Sequence, residues 1–241
     1  MKKNNHFLIV GTDTEVGKTV FTGLLSYNLY HRGLHVEVVK PFCSGSKADI
    51  EFLGRSVDST DLDRLNYWFT DEPISPAAWE LRNNKNIEFT NLLSELSGNA
   101  EKQNYDIFLV EGVGGLLAPI TSEFTVASLG QELGCNLIIV AANRVGVINH
   151  VLLTVEAALS RGLSVICIIL IGQEEPDASA DNNAELIRMH MPNIVDFKGV
   201  FEFPWLGKGA DNPELIVNNI EKADCVLKEV FDVVIKPYLF F

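Results

Sequence analysis

Basic residues are scarce in this chain: 19 Lys and Arg stand against 32 Asp and Glu, a formal net charge of −13. That balance disfavours a nucleic-acid surface, although it leaves a single loop free to hold a nucleotide. Cysteine is scarce too. Cys43, Cys135, Cys167 and Cys225 are widely spaced, with no Cys-x-x-Cys pair and no histidine at metal-ligand spacing, so they read as reduced thiols. Cys167 lies in an apolar run and is expected in the core, while Cys43, in a polar loop, is expected to line a site without reacting there. No stretch of about 18 apolar residues predicts a membrane span, and no Ser/Gly/Pro-rich linker or internal repeat divides the chain. The first five residues are polar and basic and run straight into a strand, unlike a secretory leader. The expectation is a cytoplasmic protein that binds neither membrane nor nucleic acid. With 241 residues and 47% hydrophobic content, it has enough apolar side chains for one core, and residues 1–241 read as a single domain.

What is present begins at residues 7–19. Phe7 to Val10 form an apolar run that ends at Gly11, and Gly17, Lys18 and Thr19 open a helix whose apolar positions are Val20, Leu24, Leu25 and Leu29. Strand, polar loop, Gly-Lys-Thr and helix follow in the order a phosphate-binding loop needs. Bare backbone N–H groups curl round an oxyanion, a Lys ammonium offsets its charge, and a Thr hydroxyl ligates Mg²⁺. Lys18 and Thr19 fill the last two roles. The generic pattern places four residues between its glycines, whereas five separate Gly11 from Gly17.

Further candidates fall at the ends of other predicted strands. Val36 to Val39 deliver Lys40 and the loop from Cys43 to Lys47, and the carboxyl end of a strand is where open α/β sheets place ligands. Lys40 is therefore a site candidate, with an ordinary solvated lysine as the alternative. Asp49 opens a helical pattern through Ile50 and Leu53, and from local sequence it reads best as a helix N-cap. Residues 58–88 are polar and irregular, with Pro73 and Pro76, and read as a flap or surface excursion. A helix is predicted over about 91–102. Ile107 to Val110 form a strand that ends in Glu111, Gly112, Val113, Gly114 and Gly115, where a carboxylate beside the phosphates ligates or positions Mg²⁺. A strand over 137–140 leads to a helix start near Gly146 that suits a carboxylate. His150, in the first turn, reads as a structural residue. A strand from Val165 to Leu170, a helix over about 182–190, a strand near Gly199 and a helix over 213–235 complete the alternation. Strands apolar on both faces, alternating with helices, predict an α/β fold with a mainly parallel sheet and helices on both sides, like that of P-loop nucleoside triphosphatases.

These residues resemble the dethiobiotin synthetases of biotin biosynthesis. The matching stretches are Gly11 to Thr19, Lys40 to Gly45, Pro73 to Pro76, Glu111 to Gly115, Gly146 to His150 with Leu153 and Thr154, and Pro204 to Leu206, in the family's order. The longer loop is that family's own form. The resemblance implies an enzyme that carboxylates 7,8-diaminopelargonate with CO₂ and ATP and closes a cyclic urea, releasing dethiobiotin, ADP and phosphate. It implies catalysis by Lys18 and Lys40, and phosphate contacts from Glu15, Val16, Gly17, Lys18, Thr19 and Val20. Glu111, Gly112, Val113 and Gly114 would border the reaction centre, and Thr19, Asp49 and Glu111 would hold Mg²⁺. Thr14 and Ser44 would contact the diamine or its carbamate. Gly146, Val147 and Asn149 would bind the substrate carboxylate across the interface of a homodimer.

The nucleoside end departs from that pattern. Gly172 and Gln173 stand where many members have Asn-Asp, the asparagine being the residue that reads adenine, so Pro204, Trp205 and Leu206 and backbone groups are left to hold the base. A weaker preference for ATP over other triphosphates is expected. Arg144 replaces an expected Lys, and Ala77 follows Pro76 where His is common. A rival class is the nucleotide-switched partner protein of chromosome partitioning or division-site placement. Such proteins carry a signature Lys early in the loop, where this chain has Asp13, and no basic residue lies between Gly11 and Gly17.

Overall fold

Every apolar run read as a buried strand forms one in the computed structural model, which describes residues 5–102 and 105–239, without the side chains of 99–102. Residues 1–4 of the polar opening stretch lie outside the described residues. The first half of the chain runs β1 (His6–Gly11), α1 (Lys18–His31), β2 (Val36–Val39), β3 (Phe42–Ser44), α2 (Ala48–Ser56), β4 (Trp68–Thr70), α3 (Pro76–Asn83), α4 (Phe89–Lys102) and β5 (Ile107–Gly115). There follow α5 (Val126–Glu132), β6 (Asn136–Ala142), α6 (Val147–Leu159), β7 (Ser164–Ile171), α7 (Ala180–His190), β8 (Gly199–Phe203) and α8 (Ile216–Val230). The last helix widens into a π-type turn over Phe231–Ile235, and Pro237 lies in the tighter turn that ends it. No described helix is long and apolar enough to cross a membrane.

Six strands form one sheet in the order β2-β5-β1-β6-β7-β8, and every described pairing in it is parallel. Strand periodicity sends alternate side chains to opposite faces, and both faces are covered. Phe7, Ile9, Leu109 and Val140 pack toward α1, α2 and α8, while Leu8, Val10, Val110 and Ile139 pack toward α4, α5, α6 and α7. Withdrawing each such side chain from water contributes on the order of 1.5–3 kcal/mol, which is why the strands lack polar alternation. All strand carboxyl ends point to one edge, so Gly11, Lys40, Glu111 and Gly172 meet there.

The 58–88 excursion is more regular than its sequence predicts. It holds β4 and α3, and β4 pairs with β3 as a separate two-stranded sheet. Trp68 stacks edge-on against Trp79, their ring centroids 5.5 Å apart, and Ser75 caps α3 by accepting the Ala78 N–H. Aromatic packing therefore orders the segment; three-residue strands are too short to show periodicity in sequence. Also outside the sequence reading is α5, a seven-residue helix begun by reciprocal hydrogen bonds between Thr125 and Ser128.

Candidate functional site

The loop between β1 and α1 turns by two left-handed residues, Glu15 (φ 54°) and Gly17 (φ 93°). Gly17 adopts that geometry without strain, whereas Glu15 costs on the order of 1 kcal/mol, the kind of local strain that concentrates at ligand sites. No side chain caps α1 and no acidic residue lies in its first turn, so its first N–H groups face the loop as an anion-receptive end. Lys18 donates to the Asp13 carbonyl at 2.9 Å, drawn back across the loop.

Beneath the loop three charged residues and a threonine form one cluster. Thr19 Oγ1 donates to Glu111 Oε1 at 2.7 Å, and Lys40 Nζ donates to the same oxygen at 2.7 Å and to Asp49 Oδ2. Lys40 is buried, and Glu111, at 0% exposure, is the most deeply buried carboxylate of the cluster. Lys40 is thus no solvated lysine. Burial pushes its ammonium toward deprotonation, but attraction and hydrogen bonds from Glu111 and Asp49 outweigh that, and its pKa lies above the ordinary value. Lys18 goes the other way: burial lowers its pKa, Glu111 and Asp49 oppose this only in part, and neighbouring Lys40 adds to the lowering.

Local structure explains these placements. Lys40 follows β2 directly, its N–H donating to the Leu65 carbonyl at 2.7 Å and its carbonyl accepting Asn66 Nδ2 at 2.8 Å. The 58–70 excursion thereby fixes the lysine backbone, a contribution no motif reveals. Asp49 is the second residue of α2, one place inside the helix that local sequence has it capping. Ser46 serves that end by accepting the Ala48 N–H at 3.1 Å, which frees the Asp49 carboxylate for Lys40. Cys43 donates to the Ser46 carbonyl, and burial pushes its thiol up to about 11, so it supports the loop without facing the cavity.

A cavity of about 620 Å³ opens over this cluster. Of the sequence-predicted residues, Thr14, Glu15, Gly17, Lys18, Thr19, Val20, Lys40, Ser44, Asp49, Val113 and Gly114 line it. Ser46, Pro73 and Asp211 line it as well; Asp211 comes from an exposed polar loop and carries no sequence signal. Glu111 lies beneath, reached through Thr19 and Lys40. Val16 is buried. Gly112 serves packing, since a Cβ there would come within 2.8 Å of Val126 on α5. Gly146, Val147 and Asn149 start α6 at the same sheet edge but outside this cavity. The Val147 side chain is buried and its N–H donates to the Arg144 carbonyl, while Asn149 is exposed. Gly172, Gln173 and Pro204 to Leu206 follow β7 and β8 on the far side of the loop from Lys40.

The residues fit a divalent cation by one further observation. Glu111 Oε2 is buried without a hydrogen-bond partner among the described residues, a carboxylate oxygen withdrawn from water at a cost that a cation would offset. With Thr19 and Asp49 it provides the hard oxygen donors that Mg²⁺ takes.

A parallel sheet covered on both faces, with a Gly-Lys-Thr loop at its central strand and a carboxylate on the neighbouring one, defines a P-loop nucleotide-binding domain. The sequence family described as an AAA domain (AAA_26) matches residues 5–211. The chain is 34% identical to the ATP-dependent dethiobiotin synthetase BioD of Anoxybacillus flavithermus over 82% of its own length and 93% of that protein. It is 34% identical to the Bacillus subtilis BioD over 75% of its length and 80% of that protein. The Methanocaldococcus jannaschii BioD is 33% identical over 67% of this chain and 77% of its own. The chain belongs to the ATP-dependent dethiobiotin synthetase family. Solved structures similar in fold include the signal recognition particle receptor FtsY of Elizabethkingia anophelis in complex with GDP (TM-score 0.52, 13% identity) and chloroplast FtsY of Physcomitrella patens (TM-score 0.51, 16% identity). Each aligns over 91% of this chain, which spans only 64% and 66% of them, and the likeness is one of fold alone.

Proposed function

We propose that the protein is a dethiobiotin synthetase, using ATP and CO₂ to carboxylate 7,8-diaminopelargonate and close it to dethiobiotin, with release of ADP and phosphate. The observation that carries this is the placing of Lys40, locked by Asp49 and Glu111, beside Lys18 and Thr19 at one cavity. Family membership supports it. The whole chain serves as one domain in the cytoplasm, and no nucleic acid or membrane takes part.

An amine of the substrate captures CO₂ as a carbamate, and the carbamate oxygen attacks the γ-phosphorus to form a mixed anhydride. The second amine then displaces phosphate and closes the ring. Negative charge grows on oxygen in each step, so fixed positive groups stabilise the transition states more than the ground states. Lys18 and the α1 N–H groups hold the phosphates, with Glu15, Val16, Gly17 and Val20 shaping the loop. Lys40 faces the γ-phosphate and the carbamate. Thr14 and Ser44 border the diamine, and Val113 and Gly114 border the reaction centre. Thr19, Asp49 and Glu111 hold Mg²⁺, which when bound neutralises phosphate charge. Gly146, Val147 and Asn149 of the partner protomer form the helix start that receives the substrate carboxylate. A homodimer accords with the exposed Leu117 and Leu153, apolar side chains that line a cavity together with Thr12 and Asp13.

Mass detection of dethiobiotin from ATP, Mg²⁺, bicarbonate and 7,8-diaminopelargonate tests this reading. Nucleotide binding without product would overturn it. Lys18 supplies a second check. Its pKa is lowered in the free protein chiefly by burial, and a bound triphosphate restores its affinity for the proton. On the alkaline side, below the ordinary value of 10.5, binding therefore takes up a proton and weakens as pH rises. Calorimetric titration at about pH 10 in two buffers of different ionisation enthalpy measures this uptake; the same heat in both buffers, meaning no exchanged proton, would remove Lys18 from the phosphate site.

A further inference from the structure

The geometry points to Gln173 as the residue that selects the base: its amide oxygen accepts a hydrogen bond from an exocyclic amino group. That group is the one at C6 of adenine or C4 of cytosine; guanine and uracil carry a keto oxygen at those positions, the guanine amino group being at C2, and are turned away. This rests on the nucleotide site proposed above. Sheet order sets the direction in which a nucleotide lies. Lys40, after β2, and Glu111, on β5, stand to one side of β1, while β6, β7 and β8 stand to the other. A triphosphate whose terminal group faces Lys40 sends its nucleoside over the ends of β6 and β7. Neighbouring strands are about 4.8 Å apart, so the end of β7 lies roughly 10 Å from that of β1, within reach of a nucleoside. The loop and the end of β7 also touch, since a Cβ on Gly17 would lie 3.1 Å from Ile171.

At that place position 172 is closed to side chains. The Gly172 N–H donates to the Phe203 carbonyl at 2.8 Å, and a Cβ on it would come within 2.9 Å of the Trp205 nitrogen and 3.3 Å of the Phe203 oxygen, both backbone atoms. The close passage of the 203–205 segment therefore demands glycine and leaves side-chain recognition to the next residue. Gln173 is half-buried there, and its Nε2 donates to the carbonyls of Ile171 at 2.8 Å and Gly172 at 3.0 Å. Two carbonyl acceptors fix which way the amide faces, because the reversed amide would set its oxygen against both. Both amide hydrogens are thereby used. The oxygen has no hydrogen-bond partner among the described residues and is not sealed from solvent. It accepts only. An amino group on the base satisfies it, whereas a keto oxygen at the same place opposes it and leaves two acceptors unpaired.

The expected relaxation of base preference is therefore one-sided, toward cytosine alone. Calorimetric titration of the full chain with the Mg²⁺ complexes of ATP, CTP, GTP and UTP tests this. ATP and CTP should bind within about threefold of each other, and GTP and UTP at least about tenfold more weakly. In Gln173→Ala, GTP should come within about threefold of ATP, because the opposing oxygen is gone. GTP equal to ATP in the unaltered protein, CTP as weak as GTP, or discrimination that survives Gln173→Ala would each overturn the assignment. If all four bind alike and dethiobiotin still forms, the base assignment alone falls; if none binds, the nucleotide site falls with it.

Discussion

Replacing Lys40 by methionine should lower kcat by about a thousandfold while leaving the affinity for MgATP within about threefold. The asymmetry follows from what Lys40 touches. In the free protein its ammonium is already neutralised by Glu111 and Asp49, so it adds little net charge for a ground-state triphosphate to feel. Its position matters when charge develops between carbamate and γ-phosphate, where a preorganised cation in a buried site is worth roughly 3–4 kcal/mol. Methionine keeps the volume and removes the charge. Two carboxylates then lose their shared cation, and breaking a buried pair typically costs about 3–5 kcal/mol, so urea unfolding must accompany the kinetics. The same loss gives an independent readout: without nucleotide, Lys40→Met should bind Mn²⁺ more tightly than the unaltered protein, because the ammonium no longer competes for Glu111 and Asp49. A kcat that survives, or a loss confined to nucleotide affinity, would take Lys40 out of the transition state.

How far this site was legible in the sequence depends on how local each signal is. Lys40 and Glu111 could be found because each comes straight after an apolar run, and Lys18 and Thr19 because a Gly-Lys-Thr sequence opens the helix after the first strand and its loop; parallel strands carry all four to one edge. The fold was legible for the same reason: runs such as Leu137 to Val140, apolar on both faces, have few other places to go. Asp49 was misread from local pattern as a cap, because the residue that serves that end, Ser46, lies three positions earlier in a turn with no periodicity. Nor could sequence show that Leu65 and Asn66 hold the Lys40 backbone, since their hydrogen bonds span 25 and 26 residues of polar chain. Gly112 misled in the opposite direction. A glycine after a site carboxylate suggests close approach to a ligand, yet its missing side chain makes room for Val126 of a helix the pattern did not reveal.

Glu111→Gln should abolish the extra thermal stabilisation that Mg²⁺ adds to bound ATP, and with it turnover by at least about a hundredfold. The two oxygens of Glu111 carry different loads. Oε1 accepts from both Thr19 and Lys40, while Oε2 is buried with no hydrogen-bond partner among the described residues. Such an oxygen holds its charge at a desolvation cost unless a cation answers it. Glutamine preserves the shape and keeps one acceptor for Thr19 and Lys40, but places an amide N–H₂ where the cation is to be held. At a hundred times its dissociation constant, MgATP should stabilise the unaltered protein by about 2.7 kcal/mol, a rise of roughly 5–10 °C for a chain of this size. In the variant, ATP alone should still stabilise through Lys18 and the α1 N–H groups, and adding Mg²⁺ should change the midpoint by no more than about 1 °C. Asp49→Asn provides the contrast: its side chain is 36% exposed, water can replace part of what it offers the cation, and a reduced Mg²⁺ increment should persist. An undiminished Mg²⁺ increment in Glu111→Gln would mean that the orphaned oxygen answers to something other than the metal, and the coordination set would have to be rebuilt without it.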